Sequence, residues 1–176
     1  MNQILILTGE IGSGKTSFCL ELAAAALKRE RVTGGLVSPG VFSGKEKRAI
    51  DVLDLGSSQR KRLAERKEAG SSDLETRRWA FLPQAVEWGN RKLLEAVPCD
   101  LLLIDELGPL EFNRGRGWVN AFPVIEGGRY QAALVVVRPS LLEDALARWP
   151  GAGVIDLSAP GPHPAPGELA WELLPD

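Results

Sequence analysis

The sequence predicts a three-layer α/β fold, with helices on both faces of a mostly parallel sheet. Runs made entirely of apolar residues, such as Ile4–Leu7, Leu101–Ile104 and Ala133–Val137, are typical of strands that are buried on both faces. Between these runs, apolar residues recur every three or four positions, as they do in amphipathic helices. Strands that alternate with helices in this way form right-handed βαβ units on a parallel sheet.

The composition indicates one soluble globular domain. The 176 residues are 44% hydrophobic and 25% charged, which suffices for one hydrophobic core. A net charge of −2 gives no reason to expect nucleic acid as a partner. The apolar runs are too short to cross a membrane or to act as a secretion signal, so no membrane partner is expected. Cys19 and Cys99 are isolated in the sequence, which favours free thiols and a cytoplasmic location.

The first part of the chain is predicted to form a strand, a helix and a second strand before a β-rich excursion. The helix extends from about Lys15 to Glu30 and carries one apolar stripe. The second strand is Gly34–Ser38. Pro-Gly and Ser-Gly turn signals then separate short strand-like runs, so residues 36–64 are interpreted as a β-hairpin or meander. The polar segment 66–78 is interpreted as a mobile loop.

Start signals indicate two further helices. Pro83 favours a helix that reaches about Ala96, because proline is well tolerated in the first turn. Ser140–Glu143 fits a capping box and predicts a helix up to about Arg148. The stretch 115–128 stays ambiguous, since a proline interrupts its helical pattern.

The chain is predicted to contain one domain and a tail. Residues 1–158 hold the alternating strands and helices, including a last short strand at Val154–Leu157. Residues 159–176 begin with a segment rich in proline, which predicts an extended C-terminal tail. One helical turn over Glu168–Leu174 is expected to dock Trp171.

Residues 9–16 fit the phosphate-binding pattern G-x-x-x-x-G-K-[ST] at every fixed position, between a predicted strand and a predicted helix. Glycines let the backbone fold into a nest of N–H groups around phosphate oxygens, and the helix N-terminus adds partial positive charge. Lys15 would reach the β- and γ-phosphates, and Thr16 would hold Mg²⁺. This P-loop predicts a P-loop NTPase fold. The nucleotide-binding residues it implies are Gly9, Glu10, Ile11, Gly12, Ser13, Gly14, Lys15, Thr16 and Ser17.

A second motif follows the apolar run that ends at Ile104. Asp105 comes at the carboxyl end of this strand, at the sheet edge where open α/β sheets bind ligands. It would hold Mg²⁺ together with Thr16. Glu106 comes next, and a carboxylate there can orient a water molecule, or accept its proton, in line with the γ-phosphate. The alternative is that Glu106 only begins a loop and faces solvent.

Arginines form a third group of candidates. Arg138 follows the third buried strand, at the same sheet edge, where it can sense the γ-phosphate or neutralise charge in the transition state. Arg114, Arg116 and Arg129 are compatible with the arginine-rich lid of a kinase, so a kinase is kept as an alternative. A GTPase of the Ras type is disfavoured, because the sequence contains no Asn-Lys-x-Asp tetrapeptide.

Three segments resemble a small P-loop nucleoside-triphosphatase family that has thermophilic archaeal members and is known in vertebrates as the cancer-related nucleoside-triphosphatase. They are residues 8–16, residues 35–38 with the hairpin at 47–55, and residues 103–112. The last contains Asp-Glu-x-Gly-x-x-Glu, which is much more specific than a P-loop alone. The chain departs from the family where Leu110 replaces the usual Met.

This resemblance implies a RecA-like sheet and slow, Mg²⁺-dependent hydrolysis of several nucleoside triphosphates to diphosphates. It also implies that Glu111 is a second carboxylate near the site. The leading hypothesis assigns phosphate binding to Lys15 and the P-loop amides, Mg²⁺ to Thr16 and Asp105, and water alignment to Glu106. Two alternatives stay open: a P-loop kinase that transfers the γ-phosphate to a small molecule, and a non-enzymatic ATP-dependent switch.

Overall fold

The structure, a computed structural model, describes residues 2–67 and 79–175. Its strands are β1 (Gln3–Thr8), β2 (Thr33–Val37), β3 (Gly40–Ser43), β4 (Glu46–Asp54), β5 (Arg60–Arg66), β6 (Trp79–Phe81), β7 (Cys99–Leu107), β8 (Tyr130–Val137) and β9 (Gly153–Asp156). Its helices are α1 (Lys15–Lys28), α2 (Pro83–Glu95), α3 (Pro109–Arg114), α4 (Ala121–Gly127), α5 (Leu142–Arg148) and α6 (Pro166–Leu173). Within these residues, every helix is too short or too polar to cross a membrane.

The described strands form one mixed sheet in the order β6-β5-β4-β2-β7-β8-β1-β9, with β3 paired to β4. Its central part is parallel, because β2, β7, β8, β1 and β9 are neighbours that run in one direction. β4 pairs antiparallel with β2 and begins the excursion. The predicted mostly parallel sheet with a β-hairpin excursion is confirmed. In space, β8 separates β1 from β7.

Helices cover both faces of the sheet and give the predicted three layers. α1 and α6 pack on one face, and α2, α4 and α5 pack on the other. Along β7 the side chains alternate: Leu101 and Leu103 enter the core beneath α1, while Leu102 and Ile104 enter the opposite core. Because both faces are covered, the strand is apolar throughout rather than alternating with polar residues.

The excursion is a hairpin of β4 and β5, extended by β3 on one side and β6 on the other. Asp51 on β4 accepts hydrogen bonds across the hairpin from Arg60 (2.8 Å) and Arg62 (2.6 Å). These contacts pair the charges of the two solvent-facing strands. Strand structure continues to the end of β5, slightly beyond the predicted 36–64. Most of the predicted mobile loop, residues 68–78, lies outside the described residues.

The C-terminal segment, expected as an extended tail over residues 159–176, contains the helical turn that was expected over Glu168–Leu174. This turn is α6, which begins at Pro166 and whose apolar side packs on α1 as part of the same core. Arg29 of α1 donates hydrogen bonds to the carbonyl oxygens of Ala170 and Leu174, both at 2.8 Å. The expectation that Trp171 docks is wrong, because the helical period turns this side chain outward. It is 60% exposed and stacks on the guanidinium of Arg29.

Two local expectations are also corrected near α4 and α5. The capping box at Ser140–Glu143 does not form: Pro139–Leu141 is a 3₁₀ turn, α5 begins at Leu142, and neither element has a side-chain cap hydrogen bond among the described residues. The ambiguous stretch 115–128 contains a loop followed by α4. Pro123 lies in the first turn of α4, where a missing N–H costs no intrahelical hydrogen bond.

β2 lies too close to β7 for any side chain at Gly35. A Cβ atom built there would be 1.9 Å from the carbonyl oxygen of Leu103, the residue with which Gly35 is paired. The backbone also has a φ of +105° at this position, which glycine adopts without strain. Glycine therefore sets the spacing between two strands whose carboxyl ends carry the candidate site.

We expect Gly35→Ala to destabilise the protein by about 3 kcal/mol or more, because backbone strain and a clash with a main-chain oxygen add together. Urea denaturation would measure the change. Gly151→Ala is the control, since nothing lies within 4 Å of its added Cβ. Equal free energies of unfolding for the two variants would contradict the close approach of β2 and β7.

Candidate functional site

Four parallel strands end at one edge of the sheet, and each is followed by a candidate residue. β1 leads into the P-loop, β8 into Arg138, β7 contains Asp105 and Glu106 near its end, and β2 leads into Ser38. Since β8 lies between β1 and β7, Arg138 is placed between the P-loop and the two carboxylates. The predicted site residues of separate motifs therefore meet at one edge.

The P-loop turns sharply between β1 and α1. Gly9, Gly12 and Gly14 have φ values of +143°, +85° and +91°, a region that side chains with a Cβ atom rarely enter. Gly14 is the N-cap of α1, which begins at Lys15. The loop thus ends at a helix N-terminus, whose free N–H groups and partial positive charge favour anions.

The Lys15 ammonium lies against the inside of this loop. Its Nζ donates hydrogen bonds to the carbonyl oxygens of Gly9 (2.6 Å) and Glu10 (2.8 Å) and lies 3.3 Å from the Ser13 hydroxyl. These neutral acceptors hold the ammonium in place without neutralising it. The side chain is therefore positioned to bind an anion that enters the loop.

Asp105 is the buried carboxylate of the site, with 3% of its surface exposed. It accepts a hydrogen bond of 3.0 Å from the Ser38 backbone N–H. Burial raises the pKa of Asp105 from 3.8 to about 6, and the Ser38 N–H and the nearby Thr16 hydroxyl partly oppose the shift. Of the more distant charges, Glu106 raises the pKa and Lys47 lowers it. Thr16 and Asp105, predicted as one metal site, thus lie close enough to interact.

The oxygen atoms around Asp105 fit a hard divalent cation. Mg²⁺ prefers oxygen ligands and usually binds through one or two carboxylates, with water and phosphate completing its shell. Asp105 and Thr16 supply a carboxylate and a hydroxyl group. The Ser38 hydroxyl is also buried and has no hydrogen-bond partner among the described residues, so it can accept a water molecule of such a shell. These three side chains could hold Mg²⁺.

Glu106 turns away from the core because the backbone changes conformation at this residue. Its φ is +68°, and the pairing of β7 with β8 shifts register between Ile104 and Leu107. Such an irregularity re-aims a side chain at a sheet edge. Glu106 is 45% exposed and forms an ion pair with Arg138, whose Nε lies 2.6 Å from the carboxylate. The two predicted catalytic side chains are therefore bound to each other.

Ser158 is a site residue that the sequence analysis missed. It follows β9, which pairs with β1, and its hydroxyl accepts a hydrogen bond of 2.7 Å from the backbone N–H of Glu10. A Cβ atom on Gly9 would lie 3.1 Å from the same hydroxyl. Ser158 thus fixes the first half of the P-loop from outside. Its position after a parallel strand, like that of Ser38, was the available signal.

Glu111 lies near enough to Glu106 for the Glu106 charge to raise its pKa, and it has a structural role. It is buried, and its two oxygens accept hydrogen bonds from the backbone N–H groups of Gly108 (2.8 Å) and Trp118 (2.9 Å). A Cβ atom on Gly117 would lie 1.9 Å from one of these oxygens. The resemblance implied a second carboxylate near the site, and the structure uses this carboxylate to join both ends of the segment around α3.

Comparison with known proteins identifies the family of this chain. The model of a family described as NTPase matches residues 4–116, more than half of the chain. The chain belongs to this NTPase family. The matched range contains the P-loop, Ser38, Asp105 and Glu106.

Curated proteins similar to this NTPase-family chain are nucleoside-triphosphatases named THEP1. The protein of Methanopyrus kandleri is 28% identical over 62% of this chain and 59% of its own length. That of Pyrobaculum aerophilum is 31% identical over 61% of this chain and 58% of its own length. That of Hyperthermus butylicus is 28% identical over 88% and 81%, respectively. The chain thus spans under two thirds of the length of the first two relatives.

Two solved structures share the fold of this NTPase-family chain. A human cancer-related nucleoside triphosphatase has a TM-score of 0.68 and 18% identity, with 88% of each chain covered. THEP1 from Aquifex aeolicus has a TM-score of 0.62 and 17% identity, with 89% of this chain and 90% of the other covered. The predicted P-loop NTPase fold is confirmed.

The buried Asp105 carboxyl makes the stability of the metal-free protein depend on pH. Its pKa is about 6 in the folded protein and 3.8 ordinarily, so the folded state binds the proton more tightly. The contribution is largest below pH 4 and is lost as pH rises through 6. We expect the loss of this contribution to lower the free energy of unfolding by roughly 3 kcal/mol over this interval.

Asp105→Asn removes the titrating carboxyl, so the difference between the unfolding free energies of wild type and Asp105→Asn should change between pH 4 and pH 7. Urea denaturation in a chelator, at several pH values, would measure it. Asp144→Asn, which removes an exposed carboxylate on α5, is the control for net charge. Parallel pH curves for wild type and Asp105→Asn would show that Asp105 titrates normally.

Proposed function

We propose that this protein hydrolyses nucleoside triphosphates to diphosphates and phosphate in a Mg²⁺-dependent reaction that is slow and has broad base preference. The observation that carries the proposal is that the Thr16 hydroxyl lies close enough to the Asp105 carboxyl to lower its pKa. The first turn of α1, which also contains Lys15, is thereby brought to the end of β7. The THEP1 relatives, which are named nucleoside-triphosphatases, support the same reaction.

The triphosphate binds at the P-loop through groups of the chain. The free N–H groups in the first turn of α1, which begins at Lys15, donate to phosphate oxygens. Lys15 leaves the carbonyl oxygens of the loop and binds the β- and γ-phosphates, because a charged acceptor gives a stronger hydrogen bond than a neutral one. The first half of the loop keeps its shape through the Ser158 contact.

Asp105, Thr16 and the Ser38 hydroxyl are the groups that would hold Mg²⁺. Bound there, the ion would neutralise charge on the phosphate oxygens during transfer. A carboxylate that is protonated at low pH is a poorer ligand. The raised pKa of Asp105 therefore implies that metal binding weakens as pH falls towards 6.

Glu106 orients the attacking water and accepts its proton, while Arg138 moves to the γ-phosphate. In the structure the two side chains are paired with each other, so the pair has to open before either acts. This competition is a reason to expect slow turnover. The other residues of the site contact phosphate or metal rather than a base, which is the reason to expect broad base preference. The free thiols Cys19 and Cys99 support a cytoplasmic location.

The test is phosphate release from ATP, GTP, CTP and UTP, with and without Mg²⁺, by wild type and Lys15→Ala. We expect Mg²⁺-dependent release from all four by wild type. For Lys15→Ala, loss of a charge-assisted contact to the transferred phosphate should lower kcat/KM by at least about 100-fold. Release by Lys15→Ala at the wild-type rate would reject the proposed site. Phosphate that appears on an added small-molecule hydroxyl instead would favour a kinase.

We expect Glu106→Gln to bind ATP like wild type but to hydrolyse it about 10²–10⁴-fold more slowly, because an amide cannot accept the proton of water. Steady-state phosphate release and calorimetric ATP binding would separate the two effects.

Glu126→Gln is the matched control for this substitution. Glu126 on α4 is also 45% exposed and also paired with an arginine, Arg148, at 2.6 Å. Loss of such an ion pair should therefore affect both variants alike, and only loss of the reacting carboxylate should differ. Equal hydrolysis by the two variants would remove Glu106 from the mechanism.

A further inference from the structure

Lys47 lies on the excursion, yet its side chain extends towards the candidate site. β3 and β4 pair Gly40 with Ile50 and Phe42 with Lys47. A Cβ atom on Gly40 would lie 2.6 Å from the Cε atom of Lys47, so the aliphatic arm passes directly over this glycine. Gly40 is two residues beyond Ser38, whose N–H binds Asp105. The arm therefore runs beside the segment that joins β2 to the site.

A β-bulge turns Lys47 in this direction. Val41 pairs with Ala49 and Phe42 pairs with Lys47, so Arg48 is an additional residue in β4. A bulge bends its strand and changes the direction of the adjacent side chains. Lys47 is partly buried, while Arg48 is exposed and forms an ion pair with Glu46. Of these two neighbouring basic side chains, one is thus directed towards the protein and the other towards solvent.

Among the described residues, no carboxylate forms an ion pair with Lys47. On the same hairpin, Arg60 and Arg62 both bind Asp51. The Lys47 ammonium is 5.5 Å from the centroid of the Trp79 ring, and its charge interacts with that of Asp105. A cation held near a site that already contains Lys15 and Arg138 favours a highly charged anion there.

We propose that Lys47 is a substrate-binding residue that donates to the γ-phosphate of the nucleoside triphosphate from the β4 side of the site. This inference rests on the function proposed above. The P-loop approaches the phosphates from β1, whereas Lys47 approaches Asp105 from β4, on the opposite side of β2 and β7. The phosphate nearest to Asp105 and Glu106 is the one that is transferred. Lys47 therefore distinguishes a triphosphate from a diphosphate.

The contact with Trp79 does not compete strongly with this role. A cation at 5.5 Å from the centroid of an aromatic ring is weakly held, whereas a hydrogen bond between an ammonium and a phosphate oxygen is charge-assisted. Gly40 leaves room for the arm, and Trp79 holds the ammonium near the site until substrate binds. The excursion thus contributes a side chain to the site rather than only covering an edge of the sheet.

The test compares the affinities of a nonhydrolysable ATP analogue and of ADP, with Mg²⁺, by calorimetry. Lys47→Met keeps the aliphatic arm and removes the charge. We expect it to weaken binding of the analogue about 10- to 100-fold and binding of ADP less than about threefold. Lys47→Arg should restore most of the analogue affinity. Lys47→Gln is measured alongside, so that a folding defect in one variant does not decide the result.

Lys61→Met is the matched control. Lys61 lies on the same hairpin and its ammonium is 5.1 Å from the Trp88 ring, but it is not among the charges that act on Asp105. Its affinities should equal those of wild type. Equal effects of Lys47→Met on the analogue and ADP, or no effect, would overturn the role of Lys47 while the proposed function stands. A wild-type protein that binds neither ligand and releases no phosphate would overturn both.

Discussion

Burial of the Asp105 carboxylate is the constraint on which the rest of the site depends. A buried carboxylate is costly unless hydrogen bonds compensate it, and here the donors come from two other elements, Ser38 after β2 and Thr16 in α1. Both donors are in place only if β2 lies close to β7, which Gly35 permits, and if the P-loop delivers the start of α1 to the same edge. The packing of the strands and the arrangement of the site therefore depend on each other.

Positive charge reaches this edge from three directions. Lys15 comes from the loop after β1, Arg138 from the end of β8, and Lys47 from the bulged strand β4. In the ligand-free arrangement Lys15 is held by loop carbonyls, Arg138 by the Glu106 carboxylate and Lys47 by an aromatic ring. A triphosphate would offer charge-assisted hydrogen bonds to all three. Part of the binding energy of the triphosphate can thus be used to rearrange side chains that already lie near the phosphate-binding positions.

Local patterns were sufficient to predict the P-loop, the Asp105 strand and the alternation of strands with helices, because each depends on residues close together in sequence. The contacts of Ser158 with Glu10 and of Arg138 with Glu106 depend on which strands are neighbours, and the sequence does not specify that order. Tertiary packing also overrode local signals. Ser140 fits a capping box but lies in a 3₁₀ turn, because Pro139 begins that turn. α6 begins at Pro166, before the helical turn that was expected over Glu168–Leu174.

The packing of α6 on α1 connects the last residues of the chain to the opposite end of the P-loop helix. Arg29 clamps the end of α6 through two carbonyl oxygens, and Arg31 reaches the carbonyl oxygen of Pro175 at 2.7 Å. The helix that presents Thr16 at its start is thus buttressed at its other end. A deletion of residues 166–175 would consequently remove this support of α1, although these residues follow the candidate site residues in the sequence.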